Sequence, residues 1–289
     1  MLNLLSIGGN ALDSSKNLKS LLEAIYILTK KGQLLITHGN GPQVGKLSEL
    51  EGINLGMLTA QTEAEIGVFL QEEITKRFAK KGARARVETV LTRVLVNPND
   101  LAFKLPSKPI GSFYTKAQAS KLLGKFKMKQ LTGGYRRVVP SPKPKKILNL
   151  DSIEALLARN YTVIAVGGGG IPIYYKNNWF DFADAVIDKD YTSALLAKSL
   201  RASRLFILTN VDGAYLDFNS ASKKRIGKIS ARDLERHLIE KQFEEGSMKP
   251  KVEACIDFVR ATGGMAAIGN LKKAEEVIKL RNCTVVIPA

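Results

Sequence analysis

The residues best suited to chemistry in this chain are three glycine-bearing turns, each following an apolar run. Gly8-Gly9-Asn10 follows residues 2–7, Gly39-Asn40-Gly41-Pro42 follows residues 34–37, and Gly167-Gly168-Gly169-Gly170 follows residues 161–166. Glycine lets backbone come close to a ligand, and Pro42 in the first turn of a helix loses nothing by its missing N–H. The free N–H groups of such a turn, aided by the helix dipole, attract anions, so a phosphate or carboxylate site is the functional reading. Four consecutive glycines cost conformational entropy and add no packing, which weakens a purely structural role for the third turn. The common nucleotide motifs fit poorly. Only three residues separate Gly41 from Gly45-Lys46, and Leu47 stands where a P-loop needs Ser or Thr. Val44 displaces the third glycine of a dinucleotide fingerprint.

Regular elements must hold these turns together. Residues 2–7 read as a buried strand, and Leu18, Leu21, Leu22, Ile25 and Leu28 recur at helical spacing. The second strand and turn follow, then a long helix with Ile66, Phe69, Leu70, Ile74 and Phe78 on one stripe, then a β-branched strand over residues 87–96. This alternation builds a parallel sheet covered on both faces, with ligands beyond the carboxyl ends of its strands, where all three turns fall. Farther on, Asp151 is expected to cap a helix with Glu154 three residues later. Residues 174–180 read as a hairpin with an Asn-Asn turn, Lys189 lies between two carboxylates at a helix start, and residues 205–208 form another buried strand. A surface ion pair is the plain reading of Asp188-Lys189-Asp190. Ser230 and Asp233 cap a further helix, Pro250 stands in the first turn of the next, and residues 265–268, 271–280 and 284–287 add strand, helix and strand.

Of the 289 residues, 45% are hydrophobic, enough for a sizeable core, and the net charge is +17. That field favours anionic partners. Residues 101–150 contain 12 Lys and Arg and no Asp or Glu, broken by prolines at 106, 109, 140, 142 and 144. They read as an inserted subdomain or lid. From charge alone it is either a solvated surface or an electrostatic funnel for an anion, with nucleic-acid binding third because aromatic interleaving is thin. Two cysteines without CxxC spacing and only two histidines give no zinc pattern. Cys255 and Cys283 read as buried thiols of a reducing cytosol, and no apolar run reaches membrane-spanning length. Residues 1–7 are too short and uncharged for a signal peptide.

Taken in order, Gly8-Gly9-Asn10-Ala11-Leu12, residues 37–45, Arg136-Arg137-Val138-Val139-Pro140-Ser141-Pro142, residues 167–172, Val186-Ile187-Asp188-Lys189-Asp190 and Glu245-Gly246-Ser247-Met248 resemble the carbamate kinases of the amino-acid kinase family, from end to end of the chain. The resemblance implies an α/β fold, a three-layer αβα sandwich with a mainly parallel central sheet, formed by residues 1–289 as one domain with a protruding basic lid at 97–147. It implies a homodimer; with the buried thiols and the lack of a membrane-spanning run, the expectation is a cytoplasmic protein with no membrane partner and with nucleic acid disfavoured. It also implies reversible phosphoryl transfer between ATP and carbamate, giving ADP and carbamoyl phosphate. Such transfer needs positioning and charge neutralisation rather than a covalent nucleophile. On this resemblance Lys189 and Lys251 flank the migrating phosphoryl group and Asp190 orients them. The turns at Gly8, Gly9 and Asn10, at Gly39, Asn40 and Gly41, and at Gly168 and Gly169 hold carbamate and the transferred phosphate. Thr209, Asn210, Asp212, Tyr215, Gly246, Ser247 and Met248 bind the nucleotide. Mg²⁺ enters on the phosphates, with no protein metal cage expected.

Some positions depart from the family pattern. Thr62-Glu63-Ala64 replaces the usual Ser/Thr-Gln-Gly, and Glu63 adds negative charge near an anionic substrate if it faces the site. The family's lid lysine aligns at Met128, leaving Lys127 and Lys129 on either side as candidates. Lys249 replaces a usual glycine and Ser112 a usual proline. The alternatives are a kinase of the same fold acting on another small carboxylate or phosphate, and an inactive relative that binds anions or nucleic acid.

Overall fold

Apolar runs buried on both faces form the centre of the molecule, as a parallel sheet sandwiched between helices requires. The computed structural model describes residues 1–9, 14–49, 52–218 and 220–289. The first half runs β1 (Leu2–Ile7), α1 (Ser15–Thr29), β2 (Gln33–His38), α2 (Gly41–Leu47), α3 (Leu55–Ala79), β3 (Val87–Val90) and β4 (Arg93–Val96). The insert contributes β5 (Lys108–Tyr114), α4 (Lys116–Leu122), β6 (Met128–Leu131), β7 (Gly134–Val139) and β8 (Pro144–Ile147). Next come α5 (Leu150–Ala158), β9 (Thr162–Ala165), β10 (Ile171–Lys176), β11 (Trp179–Phe182), α6 (Lys189–Ser199) and β12 (Arg204–Thr209). The chain ends with β13 (Tyr215–Leu216), β14 (Lys224–Arg225), β15 (Lys228–Ser230), α7 (Ala231–Ile239), α8 (Met248–Thr262), β16 (Met265–Asn270), α9 (Ala274–Val277) and β17 (Cys283–Ile287).

The main sheet has the order β15-β17-β16-β12-β1-β2-β9-β3, and only the β16–β17 pairing is antiparallel. Side chains alternate along each strand, so two cores form. Leu4, Leu35, Val163 and Leu205 pack against Ile153, Leu196, Leu234 and Phe258 of α5 to α8. Leu5, Ile36, Ile164 and Phe206 pack against Leu21, Ile66, Leu70 and Val277 of α1, α3 and α9. The result is the expected three-layer αβα sandwich. Cys255 belongs to the first core and Cys283 to the second, so the sheet separates two buried, free thiols. No helix among the described residues is long and apolar enough to cross a membrane.

Several boundaries differ from the sequence expectation. Residues 87–96 form two strands. β3 pairs with β9 in the main sheet, while β4 pairs with β10 and β8 in a four-stranded sheet of order β11-β10-β4-β8. The break falls at Thr92, whose hydroxyl donates to Val90 O (2.7 Å) and accepts from Val166 N (3.0 Å), fixing a turn. Helix α5 begins at Leu150, with Asn149 rather than Asp151 in the capping position. The Asn149 side chain instead accepts from Arg93 N (2.9 Å), tying the helix to β4. Asp151 lies in the first turn, where its charge complements the helix dipole. Of the insert at 97–147, the part that forms its own three-stranded sheet, β5-β7-β6, is residues 108–139, since β8 returns to β4. The hairpin joining β10 to β11 turns at Asn177 and Asn178, both with positive φ (48° and 66°), as its sequence suggests.

Candidate active site

The three glycine turns meet at the carboxyl edge of the central strands, β1, β2 and β9. Gly8, Gly9, Gly39, Asn40, Gly41 and Gly168 line a cavity of 450 Å³ together with Lys189, Asp190, Gly246 and Lys251. The fit is close. Gly168 has φ +64°, and a Cβ there would stand 2.1 Å from Asn40 Nδ2, so only glycine serves. Asn40 is itself fixed, donating from Nδ2 to Thr62 Oγ1 at 2.8 Å. Gly169 does not line the cavity; it accepts the Thr192 hydroxyl bond (3.0 Å) and packs the loop onto α6. Asn10 lies outside the described residues.

Two lysines share one carboxylate at the edge of this floor. Lys189 Nζ donates to Asp190 Oδ1 at 2.6 Å and to Ser6 Oγ at 2.9 Å. Lys251 Nζ donates to Asp190 Oδ2 at 3.0 Å and to the Ser247 carbonyl at 2.9 Å. Ser6 is held in turn by Ser193 Oγ (3.2 Å), which contacts Thr37 Oγ1 at 2.7 Å. Asp188 caps α6 by accepting from Asp190 N at 3.0 Å. Thus Asp188-Lys189-Asp190, which in sequence reads as a surface ion pair, is a largely buried charge cluster, with Asp190 2% exposed. Burial alone would raise the Asp190 carboxyl, but the Lys189 and Lys251 ammoniums overcome it and hold Asp190 well below the usual carboxylate range. Burial lowers Lys189, and the Lys251 charge adds to that against the opposing Asp190. For Lys251 the carboxylates of Asp190 and Asp188 outweigh burial and raise it.

Lys251 also lines a second cavity, of 760 Å³, so it stands where the two spaces adjoin. The larger space is lined by Thr209, Tyr215, Ser247 and Met248 from the expected nucleotide set. Asn210 and Asp212 do not line it, and Gly246 faces the smaller cavity. Asp212 instead accepts from Asn270 Nδ2 (2.8 Å) and Lys273 Nζ (3.2 Å), and that hydrogen bonding holds its carboxyl below the ordinary value. Phe218, Lys241 and Phe243 line the larger cavity without having been singled out in sequence. Tyr215 and Phe218 meet edge to face at 5.7 Å, beneath Lys223 at 4.9 and 4.6 Å. Only folding brings these scattered positions together.

From the insert, Lys108, Gly111, Phe113 and Arg136 reach the smaller cavity. Lys108 forms an ion pair with Asp188, while Arg136 donates to Gly111 O at 2.7 Å and lies over the Phe113 ring. Lys127 and Lys129 do not line that cavity; they line a separate hollow with Pro106 and Phe126. The reason is strand order. β6 is the strand of the small sheet farthest from β5, which packs on α2, so Lys129 sits opposite Arg136 but one strand farther out.

Glu63 does not face the cavity either. It is 1% exposed and turned under the third glycine loop, where Oε1 accepts from Gly167 N at 2.8 Å and Oε2 from Thr92 N at 3.2 Å. Burial pushes its carboxyl up to about 8, against the pull of these N–H bonds. Beside it His38 is pushed down to about 4, chiefly by burial, and its Nε2 has no hydrogen-bond partner among the described residues. Lys249 pairs with Glu245 at 2.5 Å, an i,i+4 contact at the start of α8.

The chain is similar to known proteins over nearly its whole length. The family model described as "Amino acid kinase family" matches residues 1–270. A carbamate kinase of Thermoplasma volcanium is 38% identical over 300 residues, covering 98% of each chain. Carbamate kinase 3 of Staphylococcus aureus is 40% identical over 292 residues, covering 92% of this chain and 93% of its own. Among solved structures, the carbamate kinase of Giardia lamblia bound to AMP-PNP superimposes with a TM-score of 0.88 at 32% identity, covering 100% of this chain and 98% of that one. The chain belongs to the amino acid kinase family, and carbamate kinases are among the relatives it resembles over nearly its whole length.

Proposed function

We propose that this chain is a phosphotransferase acting on a carboxyl-type acceptor, catalysing reversible transfer between ATP and carbamate to give ADP and carbamoyl phosphate. The observation that carries the reading is Lys251 at the junction of the two cavities, sharing Asp190 with Lys189. The larger cavity takes the nucleotide and the glycine floor takes the acceptor; the carbamate kinase of Giardia lamblia is itself bound to AMP-PNP. A carbamate oxygen attacks the γ-phosphorus, a new P–O bond forms as the bond to the ADP oxygen breaks, and the displaced electron pair stays on ADP. Lys189 and Lys251 neutralise charge on the transferred oxygens, Asp190 fixes both ammoniums, and the N–H groups of the turns orient the acceptor.

Among the described residues no cluster of three His, Cys, Asp or Glu side chains could cage a metal, and both Asp190 oxygens are occupied by lysines. This donor set fits Mg²⁺ held mainly by nucleotide phosphates and water, where it neutralises charge when bound. The insert over residues 108–139 acts as the lid, delivering Lys108 and Arg136. Two copies associate as a homodimer, for which exposed Val68 and Phe69 on α3 offer apolar surface. The buried thiols suit a cytoplasmic setting.

The test is ATP formation from ADP and carbamoyl phosphate with Mg²⁺, with Lys251→Ala as the blank. ATP that disappears with the variant supports the assignment. No ATP, with nucleotide binding retained, refutes carbamate as the acceptor and directs the search to other small carboxylates and phosphates.

A further inference from the structure

We propose that Glu63 is a positioning residue for the acceptor site, holding the third glycine loop in its anion-binding form as a neutral acid, so that loss of its proton places a negative charge beneath the bound anion. This rests on the assignment of the glycine floor to the acceptor.

The geometry is that of a clamp. The two carboxyl oxygens span the turn at Thr92 and the turn at Gly167. Thr92 continues the connection, accepting from Val166 N, and Val166 is a β-branched residue with φ 58°, a conformation that persists only where surrounding bonds impose it. One residue beyond Gly167 stands Gly168, which faces the cavity and Asn40. Glu63 therefore acts on the anion through the loop and touches none of the reacting atoms. As an acid it keeps a carbonyl oxygen for the shorter bond, to Gly167 N–H. As a carboxylate it keeps both bonds but adds a buried charge under a site built for anions.

The surroundings favour the acid. Burial displaces Glu63 to about 8, so at neutral pH it is mostly protonated. His38, from the end of β2, meets the same side of Gly167 and is uncharged above about 4. Lys189, Asp188 and Asp190 lie at the start of α6, beyond Gly169, engaged with one another or with Lys108 and Lys251. Lys46 on α2, Glu88 on β3, Arg93 on β4 and Lys176 on β10 are exposed. Tyr174 on β10 is raised by burial, and Glu23 on α1 is paired with Arg77 and Lys81. None of these supplies a buried cation for the Glu63 carboxylate.

The experiment is the pH dependence, from pH 6 to 10, of KM for carbamoyl phosphate and of kcat in the wild type and in Glu63→Gln, which keeps a neutral carbonyl for Gly167 N–H. An alkaline loss from Lys189 is common to both proteins, so the difference between them is the signal. The expected result is a KM that rises on the order of tenfold between pH 7 and 9.5 in the wild type only, with kcat changing less. Superimposable KM profiles in the two proteins overturn the proposal. If neither protein makes ATP, the acceptor assignment fails, and thermal protection by inorganic phosphate decides the role of Glu63 separately. Protection lost at pH 9.5 in the wild type but kept in Glu63→Gln supports it, and equal protection overturns it. Loss of a protonated-carboxyl infrared band between pH 7 and 10, missing from Glu63→Gln, is expected whatever the substrate; its absence from the wild type also overturns the proposal.

Discussion

Replacing Asp190 by Asn removes one charge and almost no volume, which makes it a sharp test of the shared-carboxylate centre. In the wild type Asp190 accepts from Lys189 at 2.6 Å and Lys251 at 3.0 Å. The two lysine side chains are 11% and 16% exposed. Asp190→Asn leaves these ammoniums facing each other with the Ser6 hydroxyl and the Ser247 carbonyl as their further acceptors among the described residues. Removing one partner of a buried charge cluster costs about 3–5 kcal/mol, a large part of the ~5–15 kcal/mol that stabilises a domain. The pH dependence has a definite sign. Asp190 has a depressed folded-state pKa, so its contribution is present above the unfolded value near 3.8 and is lost as pH falls through the folded one. In the variant both lysines lose a counter-charge, so Lys189, already lowered by burial, falls farther, and Lys251 loses the carboxylate that chiefly raises it. The unfolded state then binds more protons than the folded state at alkaline pH, and the stability of the variant rises from pH 7 toward 10 relative to the wild type. Urea denaturation at pH 4, 7 and 9.5 measures this, with turnover at pH 7 expected to fall by roughly two orders of magnitude or more. A variant within about 1 kcal/mol of the wild type at pH 7, with a parallel pH profile, would refute the reasoning.

In the lid, Lys108→Ala and Arg136→Ala are expected to raise KM for carbamoyl phosphate several-fold, whereas Lys127→Ala and Lys129→Ala leave it unchanged; steady-state kinetics on the four variants sorts them. Gly168→Ala forces a Cβ onto Asn40 at positive φ, so a loss of roughly 1–3 kcal/mol in a thermal melt should accompany lost activity, and full activity would contradict the described loop. Glu63→Gln also has a stability signature. The rise of Glu63 from 4.5 to about 8 means that stability is fully present below 4.5 and declines as pH climbs to 8, by roughly 5 kcal/mol at most. The variant should lose that slope, and a melting profile that keeps it would show that Glu63 is ionised at neutral pH.

Local chemistry was legible wherever one segment carried it alone. The buried strands announce themselves as continuous apolar runs, the Asn177-Asn178 turn as residues tolerant of positive φ, and the glycine turns as places where backbone must meet a ligand or another backbone. The ordered set of motifs was enough to indicate the family, and residues 1–270 match its model. What the sequence left open depends on distance through space. Asp188-Lys189-Asp190 has the composition of a surface ion pair, and only the approach of Lys251 from α8, with Ser6 from β1, makes it a buried charge centre. Lys127 and Lys129 stand nearer the aligned lid position than Lys108 or Arg136, yet sheet order puts β6 outermost and leaves them outside the cavity. Glu63 reads as a charge added to the site, while α3, which lies far from the third glycine loop in sequence, carries it beneath Gly167 and out of water. Hydrophobic period and turn chemistry are properties of neighbouring residues, so the sequence by itself determined the strands, the turns and their order. Burial and pairing come from groups far apart in the chain, and only the tertiary structure decided them.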